Sequence, residues 1–395
     1  MKLDIFDKCF NYTRSKIAKA KGYYPYFNPI ESAAGNEVKI KGRDIIMIGS
    51  NNYLGLTQHP AIIEASKKAI EKYGSGCTGS RFLNGTLDIH EEMEAKLAKF
   101  FHKEAALTFS TGYQTNLGAL SGVALKGDVI ICDRANHASI IDGCRLSFAK
   151  LVKYKHNDME DLERTLVDIS PKVGKLIVTD GVFSMEGDIA DLPSICRLAK
   201  KFGARVMVDD AHSIGVLGEG RGTAAHFGVE DQVDIIMGTF SKSFASIGGF
   251  IAAESAVIEF LKHNSRPLIF SASMAPSAVA TVITALDIIE KEPERREQLW
   301  HNTRKVHEGY RKIGYNMGES ATPIIPLKVG DDMQTFGLWK RLFEEGIFTN
   351  PIISPAVDPG NALLRTSYMS THTDAELNRV LDAAEKCGRE LGIIS

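Results

Sequence analysis

Six short apolar runs recur through the middle of this chain and restrict its fold more than any other feature. They are ALTFS (106–110), DVIICD (128–133), KLIVTD (175–180), RVMVDD (205–210), DIIMGT (234–239) and GGFIAA (248–253). As a group they are rich in Ile and Val, and helix-like segments separate them. Continuous apolar runs of this length, without polar alternation, predict strands buried on both faces of a mainly parallel sheet. Asp, Ser or Thr closes several of the runs, so polar groups collect at the carboxyl ends of the strands. In open α/β sheets that edge is where ligands bind.

At 395 residues the chain exceeds what one core usually holds, so two domains are expected. The segment 1–50 reads as a helical start followed by a hairpin about Lys41-Gly42. Residues 51–288 form the larger α/β domain, beginning with NNYLGL and a helix over Pro60–Tyr73. Charge rises sharply after about Ile289, where an amphipathic helix, PIIPLKV, a second helix and LLRTSYMS predict a smaller α+β domain over 289–395. Lys and Arg total 47 against 49 acids, a balance that argues against a nucleic-acid partner. The six cysteines are scattered without a C-x-x-C pair, which argues against a disulfide framework or zinc ribbon and leaves the cytoplasm as the expected compartment. No charge falls between Arg266 and Asp287, about the length of a membrane span. Five hydroxyl residues and Pro276 interrupt that stretch, so it reads as a short strand, a loop and a buried helix from near Pro276. The N-terminal 22 residues are mildly amphipathic with a basic second half. They read as a docking helix, with peripheral contact to a membrane surface as the alternative.

Gly74-Ser-Gly76-Cys-Thr-Gly79 matches G-x-G-x-x-G literally, but it closes a helix and follows no strand. A dinucleotide fingerprint needs the opposite context, so these glycines read as a turn. Ser110-Thr111-Gly112-Tyr113 lies between a strand and a helix, where hydroxyls and free N–H groups suit a phosphate. Asp209, Asp210 and His212 follow the RVMVDD run without a second ligand cluster at metal spacing, so no metal is expected. Lys242 follows DIIMGT, and a lysine beside a buried strand end is a candidate Schiff-base nucleophile. An imine-forming lysine, an acid for a pyridinium nitrogen and a phosphate cup are what pyridoxal 5'-phosphate requires of a protein. His137, in DRANHAS after DVIICD, lies at another strand end, where it could stack on that ring.

At NNYLGL, YGSGCTGSRFLNGT, FSTGYQTN, DRANHASIIDG, TDGVFSMEGDIADL, VDDAHSIGVLG, GTFSKS and LLRTSYMSTHT the chain resembles the α-oxoamine synthases. The blocks follow the family's order from about residue 20 onward. The resemblance implies a fold type I pyridoxal-phosphate transferase that condenses an amino acid with an acyl-CoA and releases CoA and carbon dioxide. It implies that Lys242 holds the cofactor as an imine and Asp209 pairs with its ring nitrogen. His212 would lie near the phenolic oxygen, and His137 would stack on the ring and touch the substrate carboxylate. Gly112, Tyr113, Thr239 and Ser241 would surround the phosphate, Ser184 would fall in the same pocket, and Asn52 and Arg365 would meet the substrate carboxylate. It also implies a homodimer with active sites at the interface, Ser271 or Ser273 reaching the partner's phosphate. The segments GSGCTGSRFLNGTLDIH, NHASIIDGCRLSF, DGVFSMEGDIADLP and MGTFSKSFASIGGF are most similar to the branch that joins L-serine to a long-chain acyl-CoA. Alanine with pimeloyl-CoA, glycine with acetyl-CoA, simple transamination and a non-catalytic partner subunit stand as alternatives.

Overall fold

A computed structural model describes residues 4–395. A hairpin comes first, β1 (Glu37–Ile40) and β2 (Arg43–Met47), turning at Lys41-Gly42. Seven strands then build the central sheet: β3 (Ala105–Phe109), β4 (Val129–Asp133), β5 (Lys150–Tyr154), β6 (Lys175–Asp180), β7 (Arg205–Asp209), β8 (Ile235–Thr239) and β9 (Gly249–Ala253). Their order is β3-β9-β8-β7-β6-β4-β5, parallel throughout except that β9 runs against both of its neighbours. Successive residues of one strand enter different cores. Val206 and Val208 join an apolar cluster on one face, and Met207 joins the cluster on the other. This two-sided burial is why the runs read as continuously apolar.

Further along the chain, β10 (Ile324–Gly330), β12 (Asn350–Ile352) and β13 (Ala362–Ser367) form an antiparallel sheet in the order β10-β13-β12, while β11 (Ile347–Phe348) adds a parallel strand to β2. A separate core gathers Val306, Tyr310, Ile325, Leu338, Leu364 and Leu377 with Ile46 and Ile48 from the N-terminal side. The hairpin segment therefore packs with the C-terminal elements. The helix Pro60–Tyr73 has Pro at its start and ends at Gly74, whose φ is 80°.

Three expectations need correction. The stretch before Pro276 contains no strand. Arg266–Ile269 is a helical turn with Pro267 near its start, a favoured place for Pro, and only an isolated bridge joins Ala272 to Ser80. The helix Pro276–Lys291 does begin where expected. β5 was not foreseen, because an edge strand carrying Lys150 and Lys153 lacks the apolar run of its neighbours. In place of one docking helix, the N-terminal segment forms two short helices, Asp7–Phe10 and Arg14–Ala20, neither with a buried residue; Met1 to Leu3 lie outside the described residues. Among the described residues, no helix is long and apolar enough to cross a membrane.

β3 is held at its carboxyl half by a buried ion pair. Arg81 donates from both terminal nitrogens to Glu94, at 2.7 and 2.9 Å, and Glu94 accepts the Thr108 N–H at 2.9 Å. Arg81→Ala would leave that carboxylate uncompensated. A loss of about 3–5 kcal/mol is expected, measured as a lower midpoint of urea unfolding; an unchanged midpoint would contradict the role given to the pair.

Candidate active site

The carboxyl ends of β3, β4, β6, β7 and β8 converge on a cavity of about 370 Å³. Just past β3, Thr111 caps the helix Gly112–Val123, its hydroxyl accepting the Gln114 N–H at 3.1 Å. The free N–H groups of this first turn face the hydroxyls of Thr239, the last residue of β8, and of Ser241, two oxygens 3.0 Å apart. A Cβ on Gly112 would run into the Thr239 side chain, so only glycine leaves this space open. The result is a cup of backbone donors and hydroxyls suited to a phosphate.

Asp209 closes β7 and is 4% exposed. Its carboxylate accepts the Asn116 amide at 2.7 Å and the Ala211 N–H at 3.0 Å. Asp180, opposite it on β6, accepts the His137 N–H at 2.8 Å. Burial, and then the Asp209 charge, push the Asp180 carboxyl well above the usual carboxylate range, which favours its neutral form. His137 starts the helix Ala138–Leu146, and its Nδ1 lies 2.8 Å from the Ser139 hydroxyl. Burial lowers its pKa, opposed by Asp209 and assisted by Lys242. His212 is held well below its ordinary value by burial first, and then by the charges of Lys242, Arg365 and His137. The Tyr53 hydroxyl lies 2.7 Å from its Nδ1, which leaves Nε2 for the cavity.

Lys242 lines the same cavity. Burial lowers its ammonium to about 8 against the pull of Asp209, with Arg365 assisting. Arg365, from β13, is 5% exposed and stands beside the cavity. Its Nε donates to the Ser184 carbonyl at 2.5 Å and its Nη2 to Asn51 Oδ1 at 2.9 Å.

Most of the residues singled out from the sequence thus meet in one place: Gly112, Tyr113, His137, Ser184, Asp209, His212, Thr239, Ser241 and Lys242 all line the cavity. Asn52 does not. Its amide donates to Thr57 and its carbonyl accepts the Leu56 N–H, closing a turn, and the neighbour Asn51 is the residue that reaches Arg365. Ser271 and Ser273 also stay outside the cavity of their own chain, bonded to Gln114 and to the Gly79 carbonyl. Asn116, Ser139 and Asp180 were missed. Asn116 follows Gly112 by four residues on one helix and therefore shares its face, and Asp180 closes a recognised strand, so both carried a readable signal. The donor cup, the amide-held acid and the low-pKa lysine fit pyridoxal 5'-phosphate.

A family model described as aminotransferase class I and II matches residues 43–383. The chain belongs to that family. Within it, the similar proteins are α-oxoamine synthases, and the chain is one of them. It is 52% identical to the serine palmitoyltransferase of Sphingobacterium spiritivorum over 94% of this chain and 92% of that one. It is 45% identical to the 8-amino-7-oxononanoate synthase of Thermoanaerobacter pseudethanolicus over 99% of each. A solved serine palmitoyltransferase holding PLP as an internal aldimine superposes with a TM-score of 0.96 at 39% identity, covering 99% of this chain and all of that one.

Two outcomes follow from these protonation states. Asp180→Asn keeps an oxygen for the His137 N–H and imitates the neutral form that burial favours, so cofactor affinity should stay near wild type. Asp209→Asn removes an anion bonded in the interior, and a loss of roughly 10- to 100-fold is expected in a spectral titration with pyridoxal phosphate. The reverse order would contradict the assignment. A lysine attacks an aldehyde only as the free amine, so covalent capture of the cofactor aldehyde at Lys242 of the apoprotein should quicken as pH rises to about 8 and level off above it. A rate still climbing at pH 10 would contradict the lowered value.

Proposed function

We propose that this protein joins L-serine to palmitoyl-CoA with loss of carbon dioxide and CoA, giving 3-ketodihydrosphingosine, the serine palmitoyltransferase reaction that opens sphingolipid synthesis. The observation that carries this reading is the meeting of Lys242, Asp209 and His137 in one cavity with Arg365 beside it, in a chain so similar to enzymes of that name. A non-catalytic subunit would have no use for the intact set.

Bound pyridoxal 5'-phosphate supplies an aldehyde for amines and a ring that accepts the electron pair left on a deprotonated carbon. Everything else falls to this chain. The Gly112 turn, Thr239 and Ser241 hold the phosphate, with Tyr113 at the edge of the cup, and Asp209 holds a proton on the ring nitrogen. The imidazole of His137 fixes the ring plane and stands near the serine carboxylate, while His212 places Nε2 toward the phenolic oxygen. Arg365 receives the serine carboxylate, its guanidinium already oriented by Ser184 and Asn51. Lys242 would accept the serine Cα proton; a pKa near 8 makes it a usable base at neutral pH. Over the whole reaction the acyl carbon would bond to serine Cα in place of CoA, and a proton would take the place of the carboxylate lost as carbon dioxide.

The division into 51–288 and 289–395 belongs to the same reading, since Lys242 and Arg365 come from opposite sides of it. So does a homodimer. Ile247 lines the cavity yet is half exposed, and Leu83, Phe148 and Phe270 are open to solvent, an apolar surface suited to a second copy. In that arrangement Ser271 or Ser273 would reach the partner's phosphate. The N-terminal helices expose Phe6, Phe10 and Ile17 among Lys8, Arg14, Lys16 and Lys19, which supports peripheral contact with an anionic membrane from the cytoplasmic side.

CoA release by the cofactor-loaded protein tests the reading, with serine, alanine and glycine each paired with palmitoyl-, pimeloyl- and acetyl-CoA. Release with serine and palmitoyl-CoA alone is expected. Release with alanine and pimeloyl-CoA would transfer the protein to 8-amino-7-oxononanoate synthesis. Arg365→Ala should raise the serine KM by roughly 10- to 100-fold, the value of a charge-assisted contact, and an unchanged KM would remove Arg365 from carboxylate binding.

A further inference from the structure

His156, just beyond the edge strand β5, lies outside the cavity and takes no part in the chemistry above. Its ring nevertheless bridges two carboxylates. Nδ1 is 3.1 Å from Asp133 Oδ1, and Nε2 is 2.9 Å from Asp188 Oδ2. With a carboxylate on each nitrogen, both nitrogens must donate, which only the imidazolium can do. Burial opposes this charge, but the two aspartates outweigh it and raise His156 to about 10, so the bridge is cationic throughout the neutral range.

Each aspartate belongs to a different wall of the active site. Asp133 closes β4 and opens the turn to His137; its oxygens also accept the N–H groups of Ala135 and Asn157, both at 2.8 Å. Asp188 lies in the loop after β6, where its carbonyl accepts the Phe183 N–H at 3.0 Å and Val182 bridges to Ile189. That loop carries Ser184, whose carbonyl orients Arg365. The His156 ring also meets the Phe183 ring edge-on at 4.3 Å. Asn157 ties the same loop again, from its amide to the Ile189 carbonyl at 3.1 Å.

We propose that His156 is a positioning residue: a cationic clamp that fixes the wall bearing His137 against the wall bearing Ser184 and Arg365, and so sets the spacing between ring stacking and carboxylate binding. This rests on the reading of Arg365 as the receiver of the serine carboxylate. A glutamine in place of the imidazolium carries both its donors on one nitrogen beside an accepting oxygen, so it cannot present a donor at each of the two ring-nitrogen positions, and the two loops would then settle independently.

The test uses cofactor-loaded wild type, His156→Gln and Asp188→Ala. Three quantities are read: the serine dissociation constant from the spectral change on binding, the visible circular dichroism of the bound cofactor, and the thermal midpoint. Wild type must respond to serine, and a silent wild type would overturn the substrate reading and the clamp's role with it. His156→Gln should weaken serine binding roughly tenfold, as expected of a small displacement of a binding group, and should change the dichroism because the His137 wall is released. Asp188→Ala removes the acceptor on Nε2 and releases only the Arg365 wall. It should weaken serine binding to a similar degree while leaving the dichroism as in wild type, and it gives an answer even where the glutamine variant folds poorly. Wild-type serine affinity in Asp188→Ala, or a glutamine variant altered only in its thermal midpoint, would overturn the proposal and leave His156 a stability residue.

Discussion

A carboxylate at the end of a buried strand needs donors, and Asp209 has two built in: the Asn116 amide and the N–H of Ala211. Much of the site's electrostatics follows from that anchored anion. It lies opposite Asp180, whose neutral form is favoured by burial first and then by the Asp209 charge. It also partly offsets the burial of Lys242, which leaves that lysine near 8 and not lower. The histidines on either side are kept neutral by burial. The cavity therefore presents one fixed anion, one titratable amine and neutral imidazoles, a charge distribution matched to a ring that must hold a proton on its nitrogen.

Sequence exposed the parts of this arrangement that depend on local pattern. The strands β3, β4, β6, β7, β8 and β9 could be read because burial on both faces removes polar alternation, and their ends delivered Asp209, His137 and Lys242 to one edge. The glycines of residues 74–79 were separable from a nucleotide fingerprint by context alone. What stayed hidden depends on distant partners. Asn51 and Asn52 are adjacent and chemically identical, and which one faces Arg365 is decided by a strand 314 residues away. A lone histidine such as His156 carries no signal until Asp133 and Asp188 fold around it, from 23 and 32 residues off. β5 was invisible for a different reason, since its exposed lysines protect a sheet edge instead of filling a core.

The loop 181–190 is where the central sheet and the C-terminal sheet meet. Ser184 takes the Arg365 Nε, Glu186 pairs with Lys328 at 3.1 Å, and the Gly187 carbonyl accepts from Ala321 and Thr322. One short segment thus carries a cavity-lining residue, orients the guanidinium and joins the two sheets. The orientation of Arg365 and the packing of the two sheets are coupled there, so a change in how the sheets dock would be felt first at that guanidinium.

The account stands on Lys242 being the lysine that carries the cofactor. Borohydride reduction of the loaded protein, followed by peptide mapping, tests this most directly. A single phosphopyridoxyl label on the peptide containing Lys242 is the predicted result. A label on any other lysine, with Lys242 unmodified, would contradict it.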